Sequence, residues 1–276
     1  MPPASKKNLP TLYRDLKDCN LVLEVRDIRL PLSSRLPFLE RKFQSKKKVL
    51  LFTKTDQASP AYLSSLRHYL QVREIPFHFL SPSLKPKAVI RLFDSLPSKY
   101  KADGSLLGVL RVMITGLPNV GKSTIINTVR GKKVARVGNA PGVTKGRQWI
   151  KINSRCYLLD TPGVATLSHT KDREKLLRYA ACRMVSESNF DMEELAVFLH
   201  EKIALKDSLF PRFEKGGFVP WNPDFEEMTD SICTRFSLKI SGGHNDRHRA
   251  ARKFFEFVER EILPGLDLDE IGAEDS

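Results

Sequence analysis

The chain has 276 residues, 41% hydrophobic and 28% charged, which excludes collagen-like, low-complexity and wholly disordered classes and leaves room for one large or two modest apolar cores. Lys and Arg number 46 against 32 Asp and Glu, a net charge of +14 that suits an anionic partner such as RNA. No apolar run reaches the roughly 18 residues of a membrane span, the start lacks a secretory signal, and Cys19, Cys156, Cys182 and Cys233 form no C-x-x-C pair; this disfavours secreted, membrane-inserted and zinc-stapled classes and favours reduced thiols.

The charge surplus is uneven. Residues 1–158 carry 30 basic and 9 acidic side chains, whereas residues 159–276 carry 16 and 23. The opening MPPASKKNLPTLYR fits an organelle-targeting or RNA-contacting arm, or a solvated terminus. LVLEV at 21–25 and KVLLF at 48–52 have the apolar runs of buried parallel strands. A helix is expected over 61–69, a strand near 77–80 and another helix over 88–96. After the polar connector PSKYKADGS, LLGVLRVMITG at 106–116 reads as a central strand and 123–129 as the following helix. RCYLLD at 155–160 reads as a further strand ending on an acid, where open α/β sheets place ligands. From about residue 170 the pattern becomes amphipathic and helical, over 171–185, 191–205, 223–236 and 246–262. The fold class expected is therefore α/β followed by a small, mainly helical domain.

The strongest motif is GLPNVGKS. Gly116, Gly121, Lys122 and Ser123 fill the phosphate-loop pattern between strand and helix, so backbone N–H groups near Asn119, Val120, Gly121 and Thr124 can cradle phosphate oxygens. Lys122 can offset β/γ charge and Ser123 can ligate Mg2+. Downstream, DTPG offers Asp160 to the Mg2+ shell and the Gly163 backbone to the γ-phosphate, while PGVT offers Thr144 as a switch-loop Mg2+ ligand or an ordinary loop threonine. Lys122, Thr144 and Gly163 are the candidate catalytic residues. TKTD, Thr53 to Asp56, follows the KVLLF strand: Asp56 can accept paired hydrogens from guanine and Lys54 can lie over the base, or the segment is a plain loop. Ser81 and Ser83 in LSPS can help hold the base or form a serine turn.

The order TKTD, LSPS, GLPNVGKS, PGVT, DTPG resembles the circularly permuted GTPases, in which base recognition precedes the phosphate loop. Asp27, Arg29, Pro31 and Arg35 in DIRLPLSSRLP resemble the ribosome-assembly group of these enzymes, and a helical domain with RHRAARKFFEFVER resembles that of the bacterial large-subunit assembly GTPase and its mitochondrial counterpart. The resemblance implies a permuted P-loop GTPase domain with an N-terminal arm over 1–169 and a ribosome- or RNA-contacting helical domain with an acidic tail over 170–276. It implies GTP and GDP as ligands, Mg2+ at Ser123, Thr144 and Asp160, and K+ at Asn119, whose alternative is loop hydrogen bonding.

The implied partner is a large ribosomal subunit precursor and its rRNA, engaged by a monomer without a membrane span. The implied place is the mitochondrial matrix, with peripheral inner-membrane contact admitted, or alternatively a bacterial cytoplasm. Three departures stand out. Thr53 occupies a position usually held by Asn, which predicts weaker bracing of the guanine site. Val164 stands where Ras-like enzymes carry a water-orienting Gln, and no histidine precedes His68. Hydrolysis is thus expected to be slow alone and stimulated by K+ and the ribosomal subunit, with a docking factor of little intrinsic turnover as the alternative. Basic runs at Lys46–Lys48, at Lys132, Lys133, Arg136, Lys145 and Arg147, and at Arg247, Arg249, Arg252 and Lys253 are candidate RNA contacts or solvated faces. Phe254, Phe255 and Val258 are expected to pack inward rather than stack on bases.

Overall fold

The computed structural model describes residues 16–36, 46–80, 86–100, 109–131, 136–137, 148–160, 170 and 172–271. In chain order these form β1 (Leu21–Asp27), β2 (Lys47–Thr53), α1 (Pro60–Val72), β3 (Phe77–Phe79), α2 (Pro86–Lys99), β4 (Leu110–Gly116), α3 (Lys122–Arg130), β5 (Arg136–Val137), β6 (Gln148–Asn153) and β7 (Cys156–Asp160). Five helices follow: α4 (Arg173–Ala181), α5 (Met192–Ala204), α6 (Pro211–Lys215), α7 (Phe225–Arg235) and α8 (Arg247–Phe257), the last running into a π turn at Val258–Ile262.

The described residues fall into two compact units. One holds those up to Asp56, those between Ala61 and Thr166, and Ile271; the other holds Gln57–Pro60 and those between Leu167 and Glu270. The expected boundary at 169/170 adjoins residues 161–169, which lie outside the described set.

The first unit is built on a seven-stranded sheet of order β3-β2-β1-β4-β7-β6-β5. The pairs β3–β2, β2–β1, β1–β4 and β4–β7 are parallel, and β6 and β5 add an antiparallel edge. Apolar runs without alternation explain the parallel part, because its strands are covered on both faces: every residue of β1 is buried, and Val49–Phe52 are at most 2% exposed. The register sets Thr53 beside Asp27, Gly116 beside Val25 and Asp160 beside Ile114. The carboxyl ends of four adjacent strands therefore lie along one edge, where α/β sheets hold ligands.

Strand β1 carries opposite charges two residues apart inside this core. Glu24 is 1% exposed; it accepts from Arg26 Nε at 3.0 Å and from the Leu36 N–H at 3.2 Å, and Lys48 lies 3.4 Å away. Burial alone would raise its pKa, but Arg26 and Lys48 together hold it below the usual carboxylate range.

In the second unit, α4, α5, α7 and α8 each begin at an aspartate, Asp172, Asp191, Asp224 or Asp246, whose carboxylate accepts backbone N–H groups of the first turn. Rings close the core. Phe213 is fully buried, with centroids 5.1 Å from Phe257, 5.2 Å from Trp221 and 6.3 Å from Phe254. His200 stacks on Trp221 at 4.3 Å while its Nε2 bonds the Asn222 carbonyl at 2.8 Å. Phe254, Phe255 and Val258 are at most 1% exposed, so they pack inward as expected. Replacing Phe213 by Ala should destabilise this unit by about 3–5 kcal/mol, read from its denaturant midpoint.

Candidate nucleotide site

The site starts at the end of β4. A Cβ on Gly116 would stand 2.4 Å from the Val25 carbonyl oxygen, so β1 and β4 approach this closely only with glycine there. The chain then turns through left-handed backbone at Asn119 (φ 57°) and Gly121 (φ 92°), the kind of curl that gathers amide N–H groups into an anion-binding concavity. Helix α3 begins at Gly121 with no side-chain cap, unlike the aspartate-capped helices, leaving its first-turn N–H groups open to a ligand. Ser123 and Thr124 present exposed hydroxyls on that turn.

Lys122 is 8% exposed, and its Nζ donates to the Leu117 carbonyl. Burial pushes its pKa down to about 8. The amine is still mostly protonated at neutral pH, and a bound phosphate would keep it protonated to higher pH.

The TKTD turn meets this loop from the side of β2. The Thr53 hydroxyl donates to the Val120 carbonyl at 2.7 Å and lies 3.3 Å from the Arg26 carbonyl. A Cβ on Gly121 would lie 3.3 Å from the Thr53 methyl, so Gly121 leaves room for Thr53 as well as supplying the left-handed backbone. The Thr53 hydroxyl thus supplies a donor to the Val120 carbonyl from the position where an asparagine amide was expected.

Lys54 (φ 56°) reaches Asp27 with its Nζ, 2.7 Å from Oδ2. Thr55 Oγ1 donates to the Leu80 carbonyl at 3.2 Å, tying the turn to the end of β3. Asp56 is exposed, and no hydrogen bond engages its carboxylate among the described residues. Asp160 ends β7 in register with Ile114, bringing its backbone to the same edge. Its side chain, together with Ser81, Ser83, Thr144, Gly163 and Val164, lies outside the described residues. The structure therefore brings together Thr53, Lys54, Asp56, Asn119, Val120, Gly121, Lys122, Ser123 and Thr124.

Motif reading alone missed the pairing of Asp27 with Lys54. No spacing in the sequence signals it, because the pairing depends on β1 and β2 lying side by side.

The basic runs change meaning. Lys48 faces Glu24, and Lys46 Nζ lies 3.5 Å from the Lys17 carbonyl, so part of the first run anchors the fold. Lys132, Lys133, Lys145 and Arg147, with the side chain of Arg136, lie outside the described residues. On α8, Arg247 meets Glu226 at 3.4 Å, Arg249 meets Asp246 at 3.9 Å, Arg252 meets Glu187 at 2.9 Å and Lys253 meets Glu256 at 3.2 Å. This patch is partly neutralised by its own acids, which reduces the field that sequence alone assigns to it.

Two outcomes follow from this geometry. Thr53→Val keeps the shape but orphans the buried Val120 carbonyl, so GDP affinity should fall ~10-fold, while Thr53→Asn should restore most of it; fluorescence titration reads both. Because bound phosphate favours the charged form of Lys122, binding should take up a proton as pH rises through about 8. Nucleotide affinity should then weaken by up to about tenfold per pH unit above that point, measured by calorimetry at pH 7 to 9.

Comparison with known proteins agrees with this arrangement. Residues 111–207 match the family described as 50S ribosome-binding GTPase. Ribosome biogenesis GTPase A of Bacillus pumilus is 32% identical over 238 residues, covering 83% of this chain and 82% of that protein. Mitochondrial GTPase 1 of Saccharomyces cerevisiae is 30% identical over 213 residues, covering 67% of this chain and 58% of that protein. The crystal structure of GNP-bound YlqF from T. maritima superposes with a TM-score of 0.69 at 22% identity, over 92% of this chain and 93% of that one, and so shares the fold. With base recognition preceding the phosphate loop and both meeting on one sheet edge, the chain belongs to the circularly permuted P-loop GTPases of the ribosome biogenesis GTPase A family.

Proposed function

We propose that the chain binds GTP, that the GTP-bound form docks on a maturing large ribosomal subunit, and that hydrolysis to GDP and phosphate releases it. The observation that carries this reading is the Thr53–Val120 hydrogen bond, which fastens the base-recognition turn to the back of the phosphate loop. The description of the matched family and the name of the Bacillus relative support the ribosomal side.

In this reading Asp56 selects guanine by accepting two of its hydrogens, Lys54 covers the base, and Ser81 and Ser83 hold its far side. Backbone N–H groups from Asn119 to Thr124 cradle the phosphates, and Lys122 stays protonated against them. The exposed Ser123 hydroxyl at the uncapped start of α3 suits a divalent cation, which Ser123, Thr144 and Asp160 would hold. Mg2+ held there would neutralise phosphate charge. Gly163 offers backbone to the γ-phosphate, and Asn119 is the position for K+.

Val164 has no atom with which to orient water, which supports slow turnover in the isolated protein and makes nucleotide-gated docking with little intrinsic hydrolysis the second reading. The GTPase domain spans 1–169 and the helical, RNA-contacting domain 170–276 in this scheme, and the protein acts as a monomer. Its compartment follows its ribosome. The Bacillus relatives support a bacterial cytoplasm at least as well as the yeast relative supports the mitochondrial matrix.

The test is capture of ribosomal precursors with the chain locked by a nonhydrolysable GTP analogue, followed by RNA crosslink mapping and phosphate-release assays on the captured subunits. Enrichment of large-subunit precursors with the analogue but not GDP is expected. Small-subunit material, or equal capture with GDP, contradicts the reading, and absent phosphate release on captured subunits favours the second.

A further inference from the structure

The DIRLPLSSRLP segment contributes to the family resemblance, yet the chemistry above leaves its acid without a role. Asp27 is 0% exposed and takes four donors. Its Oδ1 accepts from Arg29 N at 3.1 Å and Arg29 Nε at 2.9 Å, and its Oδ2 accepts from Arg29 Nη2 and Lys54 Nζ, both at 2.7 Å. Arg29 is itself only 6% exposed, so the guanidinium fixes the carboxylate from within the core while Lys54 approaches from the rim, its side chain 28% exposed. The main chain is tied at the same place: Ile28 N donates to the Thr53 carbonyl at 3.1 Å.

These contacts hold Lys54 twice over. Its backbone adopts φ 56°, a left-handed conformation that a lysine does not favour, and its ammonium is pinned on a buried carboxylate. A lysine stem has four rotatable bonds, and laying it over a base costs rotamer freedom unless the folded protein has already fixed the stem. Burial alone would raise the Asp27 pKa, but Arg29 and Lys54 hold it below the ordinary range, so the anchor stays ionised at neutral pH.

We propose that Asp27, oriented by Arg29, is a positioning residue for nucleotide binding, fixing the Lys54 ammonium so that the lysine stem is preset over the purine before the nucleotide arrives. This rests on the reading of Thr53–Asp56 as the guanine-recognition turn. Base selection stays with Asp56; the Asp27 anchor supplies affinity by removing a cost of ordering, so its loss weakens purine nucleotides without changing the preference between them. The DIRLPLSSRLP segment thereby enters the nucleotide site without touching the ligand.

The test is a double-mutant cycle read by fluorescent GDP and ADP titration, with melting curves in parallel. Asp27→Asn alone takes the facing carboxylate from the buried Arg29, so the anchor is removed as the neutral pair Asp27→Asn/Arg29→Gln, and Lys54→Gln is made in the native and in that background. In the native chain Lys54→Gln should weaken GDP by ~10-fold, and in the neutral-pair background by less than about twofold, because the preset lysine is already lost there. The neutral pair should itself weaken GDP by ~10-fold and leave the GDP-to-ADP ratio unchanged.

Equal cost of Lys54→Gln in both backgrounds overturns the proposal, as does a neutral pair that folds and binds GDP normally. Should the neutral pair fail to fold, acylation of the native, nucleotide-free chain decides: Lys54 should react at least about fivefold more slowly than the exposed Lys151 through its charge-paired amine, and equal rates overturn the anchor. A native chain that binds GDP and ADP alike would remove the guanine reading itself, whereas retained GDP preference with additive losses removes the anchor only.

Discussion

One hydrogen bond joins the two halves of this site. The Thr53 hydroxyl reaches from the end of β2, past β1, to the Val120 carbonyl in the loop after β4, and does so over 2.7 Å because Gly116 lets β4 lie against Val25 and Gly121 leaves room for the threonine methyl. Each condition depends on the others. A Cβ at residue 116 would push β4 away from β1, and a longer gap would leave the Val120 carbonyl buried without a donor. The permuted chain order thus imposes no separation in space: the base turn and the phosphate loop are distant in sequence and adjacent across a single strand.

Electrostatics follow the same geometry. Glu24, Arg26, Asp27 and Arg29 form two opposite-charge pairs within and just beyond one buried strand, a placement that costs desolvation and is retained only with close geometry. Each acid also draws a lysine from β2 or the turn after it, Lys48 to Glu24 and Lys54 to Asp27. Net charge on the sequence overstates what a polyanion can meet, since some of these cations are committed inward. On α8 the arginines share their charge with neighbouring acids, so an RNA phosphate there must compete with surface ion pairs worth about 0–1 kcal/mol each, a modest barrier.

Much of this was legible in the sequence where a residue type has a single physical use. The phosphate loop and the post-strand TKTD turn belong to that class, as do the continuous apolar runs of the parallel strands. The antiparallel edge did not emerge, because QWIKIN mixes polar and apolar residues without regular alternation and lacks the continuous run that marked the central strands. The Thr53–Val120 bond was not legible either, because residue type alone registers the loss of an amide and not the 2.7 Å at which the hydroxyl meets the carbonyl. The Asp27–Lys54 pair was invisible for want of register, since nothing in the spacing of residues 27 and 54 says that β1 and β2 run side by side with Asp27 opposite Thr53.

The TKTD turn braces the phosphate loop through Thr53 even when no base is present. Binding of inorganic pyrophosphate, which has phosphates and no guanine, tests it directly in the native chain and in Thr53→Val. Pyrophosphate binding should be several-fold weaker in the variant, whose melting temperature should fall by only a few degrees. Equal pyrophosphate affinity in the two proteins would contradict it and would leave the turn and the loop as neighbours without coupling.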